Sequence, residues 1–284
     1  MKNNGIIPIN KPSGWTSFDV VNKIKHMVKP LKVGHLGTLD PMATGVLLVT
    51  VGKATKLFDL MQEKQKTYIA EFEFGKLTDT LDITGEVIDT KPVENISLDE
   101  LSSVCSNFVG EINQIPPKYS AKSINGKRAY ELARNNVDFE IPAKKVKVFG
   151  IKVLDFNGKT FKLEIECGSG TYIRSIGRDI AQKLGTVATM TSLIRTKVGL
   201  IDIENAHDIS KIDKDNIANF LIKLDEILNY PIFECDDKQS FRLLNGQILE
   251  TSLGDGIYKL NNQEDTIALI KITNNKAKMW LFLG

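Results

Sequence analysis

Gly34-His35-Leu36-Gly37-Thr38-Leu39-Asp40-Pro41-Met42-Ala43-Thr44-Gly45-Val46-Leu47-Leu48-Val49 has two halves of different character, and the rest of the chain is organised around them. The first half excludes a helix. Gly34, Gly37 and Gly45 accept left-handed or tight backbone conformations, and Pro41 pushes Asp40 out of the helical region into an extended one. The second half, 46–51, is a short continuous apolar run and predicts a buried strand. One carboxylate, Asp40, is thus presented from an irregular loop anchored to a core strand, which suits a reactive group on a rigid scaffold. An isolated Asp-Pro is ordinarily a turn former whose carboxylate bonds its own backbone, so a site here needs support from elsewhere in the chain.

Upstream, an apolar run at 5–10 leads into Lys11-Pro12-Ser13-Gly14-Trp15, and Thr16-Ser17-Phe18-Asp19 is a capping box. Phe18, Val21, Ile24 and Val28 recur at helical spacing, predicting a helix to about 26–28 that Pro30 ends. Downstream, Tyr68, Ala70, Phe72 and Phe74 alternate with Glu71 and Glu73, so 66–74 reads as a half-buried strand. A short strand at 86–89 follows Gly85. Ser97-Leu98-Asp99-Glu100 opens a helix with Leu98, Leu101, Val104 and Phe108 on its apolar face, stopped by Gly110. Two prolines in Gln114-Ile115-Pro116-Pro117-Lys118-Tyr119-Ser120-Ala121 exclude regular structure there, and 126–134 reads as a short basic helix. Strands are predicted at 146–154, bulged at Gly150, and at 161–167. Gly168-Ser169-Gly170-Thr171 then turns into a helix with Ile173, Ile176, Ile180 and Leu184 inward, ended by Gly185. A strand at 190–198 and a helix at 216–228 complete the large unit. From about residue 230 short β-rich segments are punctuated by Asn245-Gly246, Asp255-Gly256 and Asn274-Asn275, predicting an all-β appendage of about fifty residues docked on the rest.

Composition narrows the classes. The chain has 284 residues, 25% of them charged and 42% hydrophobic, which is ordinary for a globular protein with one large and one small unit. The longest apolar run falls far short of a membrane span and the N-terminus shows no signal-peptide core, so a cytoplasmic location is expected. Cys105, Cys167 and Cys235 are scattered and odd in number, which speaks against a metal site or a disulfide framework. The net charge of +2 says little, but its distribution says more. Between 118 and 152 nine Lys and Arg residues, Lys118 and Lys122 among them, face only Glu131, Asp138 and Glu140. Segregated positive charge of this kind suits a phosphate backbone; a solvated lysine-rich surface gives the same pattern.

Three separated stretches carry polar groups that a core does not require. They are the Asp40 loop, Tyr68 on its strand, and Cys167-Gly168-Ser169-Gly170-Thr171-Tyr172-Ile173-Arg174, where a glycine-flanked turn delivers Tyr172 and Arg174 at a helix start. In the same order they resemble motifs of the TruB family of pseudouridine synthases, the bacterial tRNA pseudouridine-55 enzymes. The Asp40 string matches every fixed position of that family's signature. Lys66-Thr67-Tyr68 with Thr78-Asp79-Thr80-Leu81-Asp82-Ile83-Thr84-Gly85 matches its tyrosine segment, and Gly170-Thr171-Tyr172-Ile173-Arg174 its arginine segment. Asn10-Lys11-Pro12 resembles the N-terminal motif, and the stretch from Gln114 through Arg128-Ala129-Tyr130 the basic insert. The resemblance runs from about 6 to 200; past Tyr230 only Leu244-Asn245-Gly246-Gln247 is similar to the small PUA-type domain of many members.

The resemblance implies an α+β pseudouridine synthase fold over 1–229, with a mixed, mostly antiparallel central sheet, flanking helices and an RNA-clamp insert at about 112–142. A small β-rich, PUA-like domain would occupy 230–284. It implies isomerisation of uridine 55 in the TψC stem-loop of tRNA, with no cofactor, no metal, no membrane and no obligate protein partner. Asp40 is the implied nucleophile on a flipped-out uridine, and Arg174 the cation that keeps it ionised. Tyr68 is the implied base or a ring stacked on the uracil; a free phenol has a pKa near ~10, so the first role requires tuning. The implied RNA-side residues are His35, Tyr172, Asp82, Lys11, Lys118, Lys122 and Leu193. His35 would fill the gap left by the flipped base, Tyr172 would pack beneath the site, and Asp82 would steady Arg174 or cap its own loop. Lys11 would meet phosphate or be solvated. Other classes stay open: an RNA-binding or tRNA-folding protein without catalysis, an rRNA-directed synthase, and a glycosyl hydrolase. The last ordinarily uses two carboxylates, and Asp40 has no evident Glu partner.

Overall fold

The computed structural model describes residues 4–283 except 59, 61–63, 121, 125, 136, 263 and 264, and all but the side chain of residue 225. Ala121, named above, lies outside the described residues. The chain opens with β1 (Gly5–Lys11), α1 (Ser17–Met27), β2 (Val33–Leu36) and β3 (Thr44–Val51). β1 and β3 are apolar runs, buried on both faces, and pair antiparallel with Lys11 opposite Gly45. The capping box forms at Thr16 and Asp19 and fixes the start of α1. Its buried stripe is Val20, Val21 and Ile24, with Val20 and Ile24 one turn apart. Phe18, two residues before Val20, consequently points outward and is 69% exposed, contrary to expectation.

Next come β4 (Lys66–Phe74), the ribbon β5 (Lys76–Thr78) and β6 (Val87–Thr90), α2 (Leu98–Ser106) and β7 (Gly110–Gln114). In α2 Leu101 and Cys105 are buried, whereas Leu98, at the exposed first turn, is not. The insert contains the hairpin β8 (Ser123–Ile124) and β9 (Lys127–Arg128) and the helix α3 (Ala129–Arg134), so only part of the expected 126–134 helix is helical. Then follow β10 (Lys144–Phe156), β11 (Thr160–Cys167), α4 (Ile173–Lys183), β12 (Ala188–Val198), β13 (Ile201–Asp202) and β14 (His207–Asp208).

These strands build one sheet in the order β14-β1-β3-β12-β4-β11-β10-β7, with β2 added on β3 and β13 on β12. The β1–β14 and β3–β12 pairs are parallel and the other pairs antiparallel, giving the expected mixed sheet. β10 is bulged between Val148 and Gly150, as its sequence suggests. β7 and β10 pair from Gln114–Lys144 to Gly110–Val148 and so close the root of the insert. Inward residues of β4 and β11 meet α4: Phe72 and Phe161 stack at 4.9 Å, and a Cβ on Gly177 would collide with the Phe72 ring. Only glycine lets the helix approach the sheet so closely.

The expected helix at 216–228 is interrupted. Ile222 pairs with Ile6 at the edge of β1, donating and accepting at 2.9 and 3.1 Å, and this leaves a turn at Ile217–Phe220 and a short α5 (Leu224–Ile227). Beyond residue 230 the unit is not all-β. It contains α6 (Asp237–Leu244), started by an Asp236–Gln239 capping box and stopped by Gly246 at φ 81°, so Asn245-Gly246 ends a helix. Four strands follow, β15 (Leu249–Glu250), β16 (Gly256–Asn262), β17 (Asp265–Thr273) and β18 (Lys276–Phe282), in the order β15-β18-β17-β16. Asn274 and Asn275, at φ 51° and 59°, make the tight β17–β18 turn. The small unit is docked: Leu269 and Leu283 share a core with Ile6, Leu36, Val46 and Leu48. Among the described residues no helix is long and apolar enough to cross a membrane.

Candidate active site

A loop of irregular backbone leaves carbonyls that no ladder satisfies, and in the Asp40 loop buried cations satisfy them. Arg195, 1% exposed, donates from Nε to the Val46 carbonyl at 2.7 Å and from its terminal nitrogens to those of Gly37 at 3.0 Å and Thr38 at 3.4 Å. Ser17 accepts from the Leu39 amide at 2.9 Å through its hydroxyl. Gly45, at φ 99°, passes so close to the Arg195 backbone that a Cβ would collide with it. Sequence reasoning overlooked Arg195. The signal was there: Leu193 and Arg195 occupy alternate, inward positions of one strand, where an arginine needs a partner.

Lys11 overturns an expectation. It is 0% exposed and is neither solvated nor open to phosphate. Its ammonium donates to the carbonyls of Pro12 at 2.9 Å, Trp15 at 2.6 Å and Pro41 at 3.1 Å, lashing the N-terminal loop to the Asp40 loop. Burial lowers its pKa to about 8 from 10.5, with the Asp40 charge pulling the other way. Between those values the unfolded chain binds more protons at this group than the folded one, so its contribution to stability rises as pH rises from about 8 to 10.5. Lys11→Met leaves three carbonyls without their donor and is expected to cost ~1–3 kcal/mol in thermal unfolding at neutral pH. It should also remove part of the alkaline rise in stability; Lys66, likewise lowered to about 8 by burial, keeps the rest.

Arg174 lies at the start of α4, just after the Gly168–Thr171 turn, and is 6% exposed. The Gln114 amide fixes this helix start by accepting from Tyr172 N at 2.8 Å and donating to Tyr172 O at 3.1 Å. The Arg174 guanidinium grips Asp40 through two bonds, Nε to Oδ2 at 3.0 Å and Nη2 to Oδ1 at 3.1 Å. It also reaches Asp82 Oδ2 at 3.3 Å and donates to the carbonyls of Thr80 at 2.7 Å and Tyr119 at 3.1 Å. Asp82 is buried and in turn accepts from the Thr80 hydroxyl and from Thr84. It therefore steadies Arg174 and caps its own loop. Burial raises the Asp40 carboxyl above the ordinary carboxylate range; Arg174 opposes this, Asp82 adds to it, and Lys11 opposes it. The Asp40 side chain keeps 32% of its surface open.

Tyr68 is buried in β4, between Ile165 of β11 and Arg195 of β12. Burial pushes its phenol up, against a weaker opposing influence from Arg195. A phenolate base at neutral pH is therefore disfavoured. Tyr68→Phe is accordingly expected to retain more turnover than Tyr68→Leu, a comparison that initial rates will check.

The remaining expected residues scatter. Leu193 is packed in the main core beside Tyr68 and does not stand free for RNA. Tyr172 is tied through its backbone, with a half-buried ring. His35 lies on β2 opposite Val49, and its buried Nδ1 has no partner among the described residues. Burial, then the Arg195 charge, lowers its pKa and keeps the ring neutral. On the insert Lys118 is exposed and lies 3.8 Å from Asp138, while Lys122 is half-buried and donates to the Pro142 carbonyl at 3.1 Å, both outside the Asp40–Arg174–Asp82 cluster. Among the described residues no group of three His, Cys, Asp or Glu side chains is placed to hold a metal ion.

Residues 25–173 match the family described as TruB family pseudouridylate synthase (N terminal domain). The chain is 42% identical over 277 residues to a tRNA pseudouridine synthase B of Fusobacterium nucleatum, covering 95% of this chain and 96% of that one. It is 39% identical over 274 residues to a tRNA pseudouridine synthase B of Clostridium kluyveri, covering 96% and 93%. In fold it is similar to a chain of a Cbf5–Nop10–Gar1 complex, with a TM-score of 0.72 at 23% identity over 99% of this chain and 84% of that one. With the family matched over more than half of its length and relatives aligned along nearly all of it, this chain belongs to the TruB family of pseudouridylate synthases.

Proposed function

We propose that this protein converts uridine to pseudouridine in tRNA, at position 55 of the TψC stem-loop, with Asp40 as the nucleophile. The observation that carries the proposal is the two-bond Asp40–Arg174 pair on a fully braced loop, in a chain whose relatives are named tRNA pseudouridine synthase B. Binding alone needs no carboxylate held by a buried guanidinium, which weighs against a purely RNA-binding role.

The reaction breaks the N1–C1′ bond, turns the uracil and rejoins it through C5, with no net redox change. Asp40 supplies the ionised group that meets the ribose or base, Arg174 orients it, and Tyr68 forms the apolar wall of the pocket. A stacked uridine has to leave its helix to reach Asp40, and the neutral, planar His35 is suited to the vacated space. Lys118 and Lys122 on the insert serve the phosphate backbone, so affinity falls as salt rises. The enzyme works in the cytoplasm, without a guide RNA or a protein partner.

The test uses the purified chain alone and an unmodified tRNA transcript carrying tritium at C5 of its uridines. One equivalent released per tRNA, and none from a transcript with cytidine at position 55, is the expected result. No release from either transcript would remove the catalytic reading, and equal release from both would remove position 55.

A further inference from the structure

We infer that Gln114 is a positioning residue for the reaction: from the last position of β7 it caps the start of α4 and so aims the Arg174 guanidinium at Asp40. The inference rests on the function proposed above and adds to it a residue that acts through backbone, not on the substrate.

A helix start leaves amides without intrahelical partners. The common remedy is a short polar side chain at the N-cap, with a reciprocal bond from the third helical residue back to the N-cap amide. α4 has neither. Its N-cap is Tyr172, which makes no side-chain cap bond, and its third residue, Ser175, turns its hydroxyl to the Ile115 carbonyl at 2.9 Å. Gln114 supplies the missing bond from 58 positions away: Tyr172 N donates to its Oε1 at 2.8 Å, while its Nε2 donates to Tyr172 O at 3.1 Å. A carboxamide carries an acceptor and a donor side by side, which suits the two backbone groups of one residue; a carboxylate or a hydrocarbon of the same size does not. The side chain is 1% exposed, so its removal leaves the Tyr172 amide without its acceptor in a dry place.

The neighbouring bonds show what this cap controls. Arg174 is the second residue of α4, so the aim of its long side chain follows the course of the helix start. The carbonyl after Gln114, that of Ile115, is held by Ser175 and by Arg178 Nη2 at 3.0 Å, and the Tyr119 carbonyl by Arg174 itself. The stretch 114–119 is thus moored along the first turns of α4, with Pro116 and Pro117 stiffening it between the moorings. Gln114 is in turn set in the sheet, opposite Lys144 of β10. Support therefore runs from the sheet through Gln114 to the helix start, and from there through Arg174 to Asp40. A shift of about 1 Å in such a support costs on the order of 10²-fold in rate.

The test is Gln114→Met, which keeps the shape and adds no titratable group. The charged groups that act on Asp40 are Arg174 of α4, Asp82 of the adjoining loop and Lys11 of β1, and the cap governs the first of them. Loosening Arg174 removes an influence that holds the carboxyl down, so Asp40 titrates at higher pH. Two readouts are taken: single-turnover tritium release across pH, and a carbon-13 NMR titration of the Asp40 carboxyl in the protein without RNA, assigned with Asp40→Asn. Gln114→Met is expected to lower the rate about 10–100-fold and to move both the acid limb and the NMR titration to higher pH. A rate within about threefold of wild type overturns the inference. A slower rate with the Asp40 titration in place overturns it too and leaves Gln114 a role in folding stability alone. Should the Met variant fail to fold, Gln114→Asn, one methylene too short to reach both Tyr172 groups, is read by the same two criteria. Because the NMR titration needs no turnover, failure of the catalytic reading shows separately, as wild type that releases no tritium while Asp40 still titrates.

Discussion

Asp40→Asn is expected to lower turnover by about 10⁴-fold or more while tRNA affinity stays within a few-fold of wild type. The substitution changes almost no volume. Its amide oxygen still accepts one bond from Arg174, so the loop, braced by Lys11, Ser17 and Arg195, keeps its course. What disappears is the ionised oxygen of a side chain that is 32% open. Single-turnover tritium release, set against filter binding, separates the two effects. Turnover within tenfold of wild type would take Asp40 out of the chemistry. In the wild type the carboxyl must be ionised to act, and burial raises its pKa, so activity rises with pH through a value above the ordinary carboxylate range.

Arg174→Lys is expected to cost about 10²–10³-fold in turnover. The guanidinium divides itself among Asp40, Asp82 and the carbonyls of Thr80 and Tyr119. An ammonium has three donors and no planar fork, so it cannot reproduce the two-bond grip on Asp40. The pH dependence gives the sharper test. Weakening the Arg174 contact removes the main influence that lowers the Asp40 pKa, so the acid limb of the rate profile moves to higher pH. Asp82→Asn removes an influence that raises it, so the limb moves to lower pH. Simple misfolding would not move two variants in opposite directions, and shifts of the same sign would contradict the electrostatic account.

Much of this was legible in the sequence because it was written in backbone grammar. The Asp40 loop was marked by glycines and a proline, Tyr68 by strict alternation, and the start of α4 by a glycine-flanked turn. What was hidden depends on who meets whom across the fold. Lys11 follows an apolar strand, and nothing local says that three carbonyls from two loops converge on its ammonium. The break at 216–228 comes from Ile6, far away in sequence, whose edge captures Ile222. The helix α6 was missed although its Asp236-x-x-Gln239 box was present, because the following Asn-Gly resembled a hairpin turn.

The Tyr119 carbonyl, held by Arg174 at 3.1 Å, belongs to the basic segment closed by β7 and β10, and Asp79, in the loop that supplies Thr80 and Asp82, raises the pKa of the Tyr119 phenol. One guanidinium therefore fastens both the Asp40 carboxylate and the segment that carries Tyr119. The arrangement is an interlock: displacing that segment would withdraw an acceptor from the side chain that holds Asp40, and seating it would return that acceptor. The position of that segment and the orientation of Asp40 are thus coupled through one side chain.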